Sequence, residues 1–332
     1  MTFKCFILFG LLIISLVAVS GYGYFQHIRT KLGPLNNEAI LYIAPGSGVG
    51  QIGRTLQKAN VIEQPWHFKV LSTVQGATKA IKAGEYVFPP KSTLQAVLDI
   101  LVSGKTHQRR LVIPEGSSNA QILDILSKTD GFNGVETLVL PTEGHLLPDT
   151  YFYDYKADPK DLIEQMALAS KDALMALWEE YGDNTSLSSL EDAIILASII
   201  EEETSIAAER PLIASVFLNR LRLRMRLQSD PSVIYGITGG LPLGRRLTST
   251  DLRRDTPYNT YMRYGLPPTA ISNPGIEALK AVFAPAESDY LYFVADGTGG
   301  HIFAKTLSEH NSNVRKWRKI RDQCNATLKD CP

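Results

Sequence analysis

The sequence predicts an α+β protein with a single N-terminal transmembrane helix, a small α+β domain, and a larger, helix-rich α+β domain with a C-terminal β-hairpin. Three observations support this prediction. An apolar run occupies the first 26 residues, short strand and helix patterns alternate up to residue 106, and helical patterns then dominate until two β-type segments flank a glycine-rich turn. The chain has 332 residues and is 44% hydrophobic, enough to bury more than one core.

The apolar run determines the compartment of the rest of the chain. No charged side chain occurs between residue 4 and the basic group at 27–31, and about 20 apolar residues span a bilayer. We therefore predict a cytoplasmic N-terminus at 1–4 and a transmembrane helix at 5–26. A cleaved signal peptide is the alternative, because small residues at 18–20 fit a peptidase site. Aromatic residues at 22–25 favour retention, since such rings prefer the membrane interface.

The small domain follows a polar linker predicted at 27–38, where Gly, Pro and Asn are frequent. We predict that this domain covers 39–106. Its strand patterns lie at 40–43 and 84–88, and its helical patterns at 49–59, 66–71 and 94–101. This part of the sequence contains no paired acid and base, so its expected role is positioning.

The larger domain is predicted at 107–322, followed by a C-terminal tail at 323–332. A strand pattern lies at 111–113, helical patterns lie at 119–126, 162–181, 190–203 and 211–222, and the hairpin strands lie at 290–295 and 301–304. In the tail, Cys324 and Cys331 either form a local disulfide or remain free thiols.

Composition and spacing argue against several functions. Lys plus Arg and Asp plus Glu both total 34, so no basic excess indicates a nucleic-acid partner. The cysteines do not have the spacing of a zinc or redox site, and His301 and His310 have no metal-ligand spacing. We therefore predict that the protein uses no metal and no cofactor.

Three consecutive carboxyl groups end the helix predicted at 190–203. Ser188 and Glu191 have the spacing of a capping box at its start, and an apolar run precedes Glu201, Glu202 and Glu203. The negative end of the helix dipole and mutual repulsion both disfavour ionisation there. At least one of these groups should therefore hold its proton unusually well, as a general acid must.

Helical phase favours Glu203 within this run. Positions three, four and seven residues before Glu203 are all apolar, whereas Ser198 lies among the corresponding positions for Glu201 and Glu202. Glu203 thus best continues the buried face. The alternative is a solvated acidic helix end, which the preceding apolar run makes less favourable.

Two later segments combine polar and aromatic groups in the way that sugar recognition requires. Both read as irregular, and they supply five candidate substrate-binding residues: Gln228, Asp230, Tyr235, Asn259 and Tyr261. Structural interpretations remain open, because Asp before Pro is a common turn or helix cap and a tyrosine can lie at the edge of a core.

These motifs resemble the endolytic murein transglycosylase (YceG-like) family. The resemblance covers nearly everything after the apolar run, and it rests on long motifs in the same order. They are 196–204 (LASIIEEET), 214–221 (ASVFLNRL), 226–236 (RLQSDPSVIYG), 258–261 (YNTY), 265–268 (GLPP) and the hairpin region at 290–311.

The resemblance implies a single-pass inner-membrane protein with its catalytic body in the periplasm and a LysM-like domain at 39–106. It implies cleavage of the bond between N-acetylmuramic acid and N-acetylglucosamine in nascent peptidoglycan glycan strands, leaving 1,6-anhydro ends. Peptidoglycan synthases are implied as possible neighbours. Glu203 matches the family's catalytic acid/base. Glu202 replaces a usual lysine, so we expect a higher proton affinity for Glu203, and His145 replaces a usual aromatic residue.

Two alternatives remain at this point. One is a hydrolase in which Glu203 is the acid and Asp230 or Glu201, the secondary carboxylate candidate, is the base, since most glycosidases use two carboxyl groups. The other is a non-catalytic wall-binding scaffold in which the small domain binds the glycan.

Overall fold

The computed structural model describes residues 2–182 and 187–326, which divide into two compact units. Among these residues, the first unit comprises 2–109 together with 152–156, and the second comprises 110–151, 157–182 and 187–326. The sequence placed the boundary at 106/107 and did not anticipate the return of 152–156 to the first unit. Of the predicted tail, residues 323–326 are helical. Cys331, and with it the proposed disulfide, lies outside the described residues.

The first element is a long apolar helix, α1, at Thr2–Thr30. Within the described residues, Leu8–Thr30 is the one helix long and apolar enough to cross a membrane, and none of its most apolar window is buried inside the protein. The helix continues through the first residues of the predicted linker at 27–38. Ile28 and Leu35 are buried, so this segment packs on the small domain instead of forming an open connection.

The rest of the first unit is a two-stranded antiparallel sheet covered by three helices. Its strands pair from Ala39 opposite Phe88 to Ile43 opposite Gly84. The elements are β1 at Ala39–Ile43, α2 at Val49–Lys58, α3 at Pro65–Val74, β2 at Gly84–Phe88 and α4 at Leu94–Ser103. Phe68, Tyr86 and Phe88 are fully buried at the centre of its core.

The second unit is dominated by helices. It contains α5 at Asn119–Lys128, α6 at Pro159–Tyr181, α7 at Leu190–Glu203, α8 at Arg210–Arg222, α9 at Asp230–Thr238, α10 at Ser249–Arg253, α11 at Ile276–Phe283 and α12 at Leu307–Ala326. Within this unit, β5 at Tyr292–Ala295 pairs with β6 at His301–Ala304 in the predicted hairpin. Strands β3 at Gln108–Val112 and β4 at Thr150–Asp154 form another two-stranded sheet, and each of them has residues in both units. The α+β class, the apolar N-terminal helix and the C-terminal hairpin are thus confirmed.

Helix α7 lies at the centre of the second core. Every side chain from Ala193 to Ile200 is buried, and α7 packs against α8 and α11. Its start differs from the prediction: Ser189, not Ser188, is the N-cap, and its hydroxyl accepts a hydrogen bond from the Asp192 N–H. A helix held on all sides fixes the direction of the carboxyl groups at its C-terminal end.

Candidate active site

Glu203 ends α7 and points towards the first turn of α9. The Ser229 hydroxyl donates a 2.6 Å hydrogen bond to Glu203 Oε1. Ser229 is itself buried, and its N–H donates to Thr260 Oγ1 at 2.9 Å. The contact between the Ser229 N–H and the Thr260 side chain therefore fixes the position of the Ser229 hydroxyl, which orients the Glu203 carboxyl group.

Burial raises the pKa of Glu203 to about 7. The Ser229 hydrogen bond and the Arg220 charge lower the pKa, whereas the Asp230 and Glu202 charges raise it. A raised pKa of Glu203 agrees with the expectation from the sequence. The expected cause was the charge of Glu202, but that charge is the smallest of these five contributions to the pKa, and burial is the largest. A carboxyl group with this pKa can donate and accept a proton near neutral pH.

Glu201 is buried in a different environment. Its side chain is 5% exposed and lies 2.7 Å from Arg210 Nη2, which is 8% exposed. Its second oxygen, Oε2, accepts a hydrogen bond from the Gly275 N–H at 2.9 Å. Burial raises the pKa of Glu201, while the Gly275 and Arg210 contacts oppose that effect. Because both contacts stabilise the ionised form and occupy both oxygens, we assign Glu201 a structural ion pair.

Helical phase therefore did not separate these two carboxyl groups. Glu201 and Glu203 both face protein, and what distinguishes them is the partner: a guanidinium for Glu201 and a neutral hydroxyl for Glu203. A general base needs an oxygen free to reach the substrate, so the contacts of both Glu201 oxygens argue against the predicted role of Glu201 as a secondary carboxylate.

Glu202 is the exposed member of the run and lines a cavity of about 330 Å³. The other lining residues include Ser118, Tyr235 and Gly240. The cavity walls desolvate Glu202 and raise its pKa to about 7. Because Glu202 is exposed and water screens it, we give the half-buried Glu203 greater weight as the group of altered proton affinity.

Asp230 and Tyr261 lie together beside Glu203. Tyr261 donates a 2.6 Å hydrogen bond to Asp230 Oδ1, and the charges of Asp230 and Glu203 both contribute to raising the pKa of Tyr261, after its burial. Asp230 begins α9, so the segment predicted as irregular is helical from this residue. Both residues are exposed or half-buried and remain candidates for substrate contact.

Gln228 is an exposed residue with a left-handed backbone, at φ 53°. Its N–H donates to the Thr260 carbonyl at 3.2 Å. Such a conformation costs on the order of 1–3 kcal/mol outside glycine and persists where surrounding contacts impose it. Gln228 thus helps to form the turn that presents Ser229, and its exposed amide also remains available to a ligand.

Asn259 contacts the backbone. It is fully buried, its side-chain amide donates to carbonyls that include those of Leu252 and Arg254, and its Oδ1 accepts from the Tyr261 N–H at 2.9 Å. These contacts give Asn259 a structural role, because its polar atoms are occupied by the backbone at the end of α10 and by the Tyr261 N–H, and substrate contact by Asn259 stays a prediction.

Tyr235 belongs to a buried polar network that sequence reasoning did not identify. Its hydroxyl donates to Glu143 Oε2 at 3.1 Å, and Glu143 Oε1 accepts from the Asn119 N–H at 2.7 Å and from Asn273 Nδ2 at 3.0 Å. Asn273 Oδ1 in turn accepts from the N–H groups of Gly144 and Leu146. The half-buried Tyr235 also lines the cavity beside Glu202.

Gly144 permits the close packing of this network against α7. Its φ is +91°, and an added Cβ would lie 2.5 Å from both Ala270 Cβ and Ile194 Cγ2. A side chain here would meet two buried carbons in a backbone conformation that only glycine adopts readily. In the described residues, no three His, Cys, Asp or Glu side chains are grouped to hold a metal ion, and the use of no cofactor remains a prediction.

The fold and site together define a class of protein. A buried helix presents carboxyl groups of raised pKa beside a cavity lined with hydroxyl and aromatic groups, the arrangement of an acid/base enzyme. The YceG-like family model matches residues 41–316. The chain belongs to the YceG-like family, which confirms the family predicted from the sequence motifs.

Named relatives and a solved structure agree with this assignment. A Bacillus subtilis protein named endolytic murein transglycosylase is 31% identical over 91% of this chain and 92% of its own length. A Streptococcus pneumoniae protein of the same name is 27% identical over 94% of this chain and 65% of its own length. A crystal structure of a YceG-like protein from Listeria monocytogenes is 32% identical, with a TM-score of 0.53 over 83% of this chain and 99% of that one.

Proposed function

We propose that this protein is an endolytic lytic transglycosylase of peptidoglycan with Glu203 as its acid/base. The observation that carries this proposal is the half-buried carboxyl group of Glu203, which the Ser229 hydroxyl holds and whose pKa is raised by desolvation to about 7. The names of the Bacillus and Streptococcus relatives support the substrate and the reaction class.

The proposed reaction needs a single carboxyl group that works in both directions. Protonated Glu203 donates its proton to the glycosidic oxygen between N-acetylmuramic acid and N-acetylglucosamine as that bond breaks. The resulting carboxylate then removes the proton from the muramic C6 hydroxyl as this oxygen bonds to C1. The product is a 1,6-anhydro end, and Glu203 regains its proton without consumption of water.

The surroundings of Glu203 suit this cycle. The hydroxyl of Ser229 stabilises the ionised form without fixing it as a full positive charge would. Gln228, Asp230, Tyr235 and Tyr261 are proposed to contact the glycan, because each presents polar atoms near Glu203 or at the cavity beside Glu202.

We further propose that α1 anchors the protein in the inner membrane as a single pass, with the small domain and the second unit in the periplasm and peptidoglycan synthases as possible neighbours. The length and composition of Leu8–Thr30 support the membrane span, and the glycan substrate lies outside the cytoplasm. A LysM-like role of the small domain at 39–106 stays part of this proposal.

Digestion of purified glycan strands by Glu203→Gln and by Glu202→Gln tests the site. General acid–base catalysis contributes about 10²–10⁴-fold to rate, so cleavage should fall by at least about 100-fold in Glu203→Gln and by far less in Glu202→Gln. The opposite pattern would assign the acid role to Glu202, and full cleavage by both variants would exclude this site.

Mass spectrometry of the same digests tests the reaction type. Anhydro ends are expected. Reducing ends would support the hydrolase, with the exposed Asp230 as its base, because the charge of Asp230 already acts on Glu203. Wild-type protein that binds strands and cleaves none would support the scaffold.

A further inference from the structure

The junction between α1 and the small domain carries a cluster of three aromatic rings. Tyr24 of α1 stacks on Trp66 of α3, with ring centroids 6.3 Å apart and an interplanar angle of 14°. The Tyr24 hydroxyl lies 3.0 Å from His67 Nε2, and the rings of Trp66 and His67 are 4.0 Å apart. The cluster ties the start of α3 to the end of the apolar helix.

Other contacts make this junction rigid. Lys31 Nζ lies 2.8 Å from both carboxylate oxygens of Glu63, and Ile28 is buried where α1 ends. The Gly33 N–H donates to the Ser92 carbonyl at 3.1 Å, and an added Cβ at Gly33 would lie 2.5 Å from that same oxygen. The chain leaving α1 therefore lies directly on the small domain.

The depth of Tyr24 follows from the length of α1. The uncharged, largely apolar sequence from Phe6 to Phe25 rises about 30 Å at 1.5 Å per residue, which is the thickness of the hydrocarbon core. Tyr24 then lies at the end of the span, where tyrosine and tryptophan rings are favoured. Because Trp66 stacks on Tyr24, Trp66 lies at the same level.

Trp66 is 51% exposed despite its two ring contacts. Val70 and Val74, which follow it on α3 at intervals of four residues, are 37% and 66% exposed. Residues four apart share one face of a helix, so α3 presents an apolar stripe that begins at the membrane interface. An exposed apolar stripe of this kind is typical of an interaction surface.

We propose that α3 rests on the bilayer through this stripe, with Trp66 inserted among the lipid headgroups and upper acyl chains beside α1. The lipid of the same membrane is the occupant because Tyr24 brings Trp66 to the depth at which α1 leaves the bilayer. A cavity of about 230 Å³ lined by His27, Lys31 and Glu63, among others, lies beside the rings and gives a lipid headgroup polar partners. The small domain is thereby held against the membrane at a fixed orientation.

The inference rests on the proposed function, because it requires that α1 spans the membrane. The test therefore measures the insertion of α1 separately from the contact of α3 with the bilayer. The full chain carrying Trp178→Phe and Trp317→Phe, in which Trp66 is the one tryptophan left, is reconstituted into phosphatidylcholine–phosphatidylglycerol vesicles. Resistance to alkaline extraction reports insertion of α1. If the protein is extracted, the anchor itself fails, and the inference fails with it.

Quenching of Trp66 by lipids then tests the inference alone. In vesicles whose acyl chains are brominated near the headgroup, Trp66 emission should fall to about half or less of its value in unbrominated vesicles, as for interfacial rings. Aqueous iodide should quench it weakly. A matched variant with Trp66→Phe and Trp317→Phe keeps only Trp178, which packs on the core of the second unit. Its emission measures background quenching.

The Tyr24→Leu variant tests whether the contact with Tyr24 holds Trp66 in the lipid. This substitution keeps α1 apolar but removes the ring stack and the hydroxyl contact with His67, so bromolipid quenching of Trp66 should decrease while extraction resistance persists. Strong iodide quenching of Trp66 in the parent protein would show that the stripe faces water. Protection from both quenchers would show that protein covers it, and either result would overturn the proposal.

Discussion

The pKa of Glu203 predicts how the stability of the protein depends on pH. Folding raises this pKa from an ordinary value of 4.5 to about 7. The contribution of Glu203 to stability is therefore fully present below pH 4.5, where both states are protonated, and is lost as the pH rises through 7. At about 1.4 kcal/mol per pKa unit, the loss is on the order of 3 kcal/mol.

Glu203→Gln removes this titration while keeping the shape of the side chain. The unfolding free energy of the variant minus that of the wild type should be about 3 kcal/mol more positive at pH 8 than at pH 4.5. Urea unfolding of the full chain in detergent, followed through Trp178 in the core of the second unit with the other tryptophans replaced by Phe, measures the difference. Glu202→Gln is the control, and its effect should be smaller because that side chain is exposed.

A pH-independent difference between Glu203→Gln and wild type would refute the assignment of a buried, proton-retaining carboxyl group at this position. An equal pH dependence in Glu202→Gln would refute the distinction made between the two carboxyl groups. Neither result depends on catalytic activity, so this measurement tests the electrostatic reasoning separately from the proposed reaction.

Two further predictions concern the groups that support Glu203. Ser229→Ala removes a hydrogen bond that lowers the pKa of Glu203. Such a bond is worth roughly 1.5–3 kcal/mol, so the alkaline limb of the kcat/KM profile should move up by about one to two pH units. Ser215→Ala, at a buried serine of α8, should leave the limb in place. Gly144→Ala should lower the unfolding free energy by more than about 2 kcal/mol, because strain and overpacking add. Gly46→Ala has a similar φ of +75° but open space around its Cβ, and its cost should stay near about 1 kcal/mol. An unmoved limb in Ser229→Ala, or equal costs at the two glycines, would contradict these predictions.

Local patterns predicted the elements that carry the site, but they did not predict its partners. The apolar run of α7 predicts a buried helix with carboxyl groups at its end, because the apolar residues and the three glutamates all lie within this one helix. Ser229 lies 26 residues from Glu203 and Asn273 lies 130 residues from Glu143. Such contacts depend on how distant loops pack against the core. Hydrophobic periodicity reports local secondary structure and does not predict this packing.

Asn259 shows a related ambiguity of sequence patterns. A polar side chain in an irregular segment suits a ligand, but it suits unpaired backbone groups equally well. The C-terminal end of α10 leaves carbonyls that need donors, and the buried amide of Asn259 supplies them. The sequence shows that an amide is present but not which atoms it contacts, and the burial of Asn259 favours the structural role.

The acidic run shows how one residue type takes different roles within a single turn of helix. Glu201 meets a buried guanidinium and a backbone N–H, which favour its charged form. Glu203 is also desolvated, yet its partner is the neutral hydroxyl of Ser229, the N-cap of α9, so neither protonation state is strongly fixed. A group that must first donate and then accept a proton needs this balance. The separation of roles follows from the partners supplied by α8 and α9 and not from the carboxyl groups themselves, and we therefore expect exchange of these partners to alter the reaction more than exchange of Glu202.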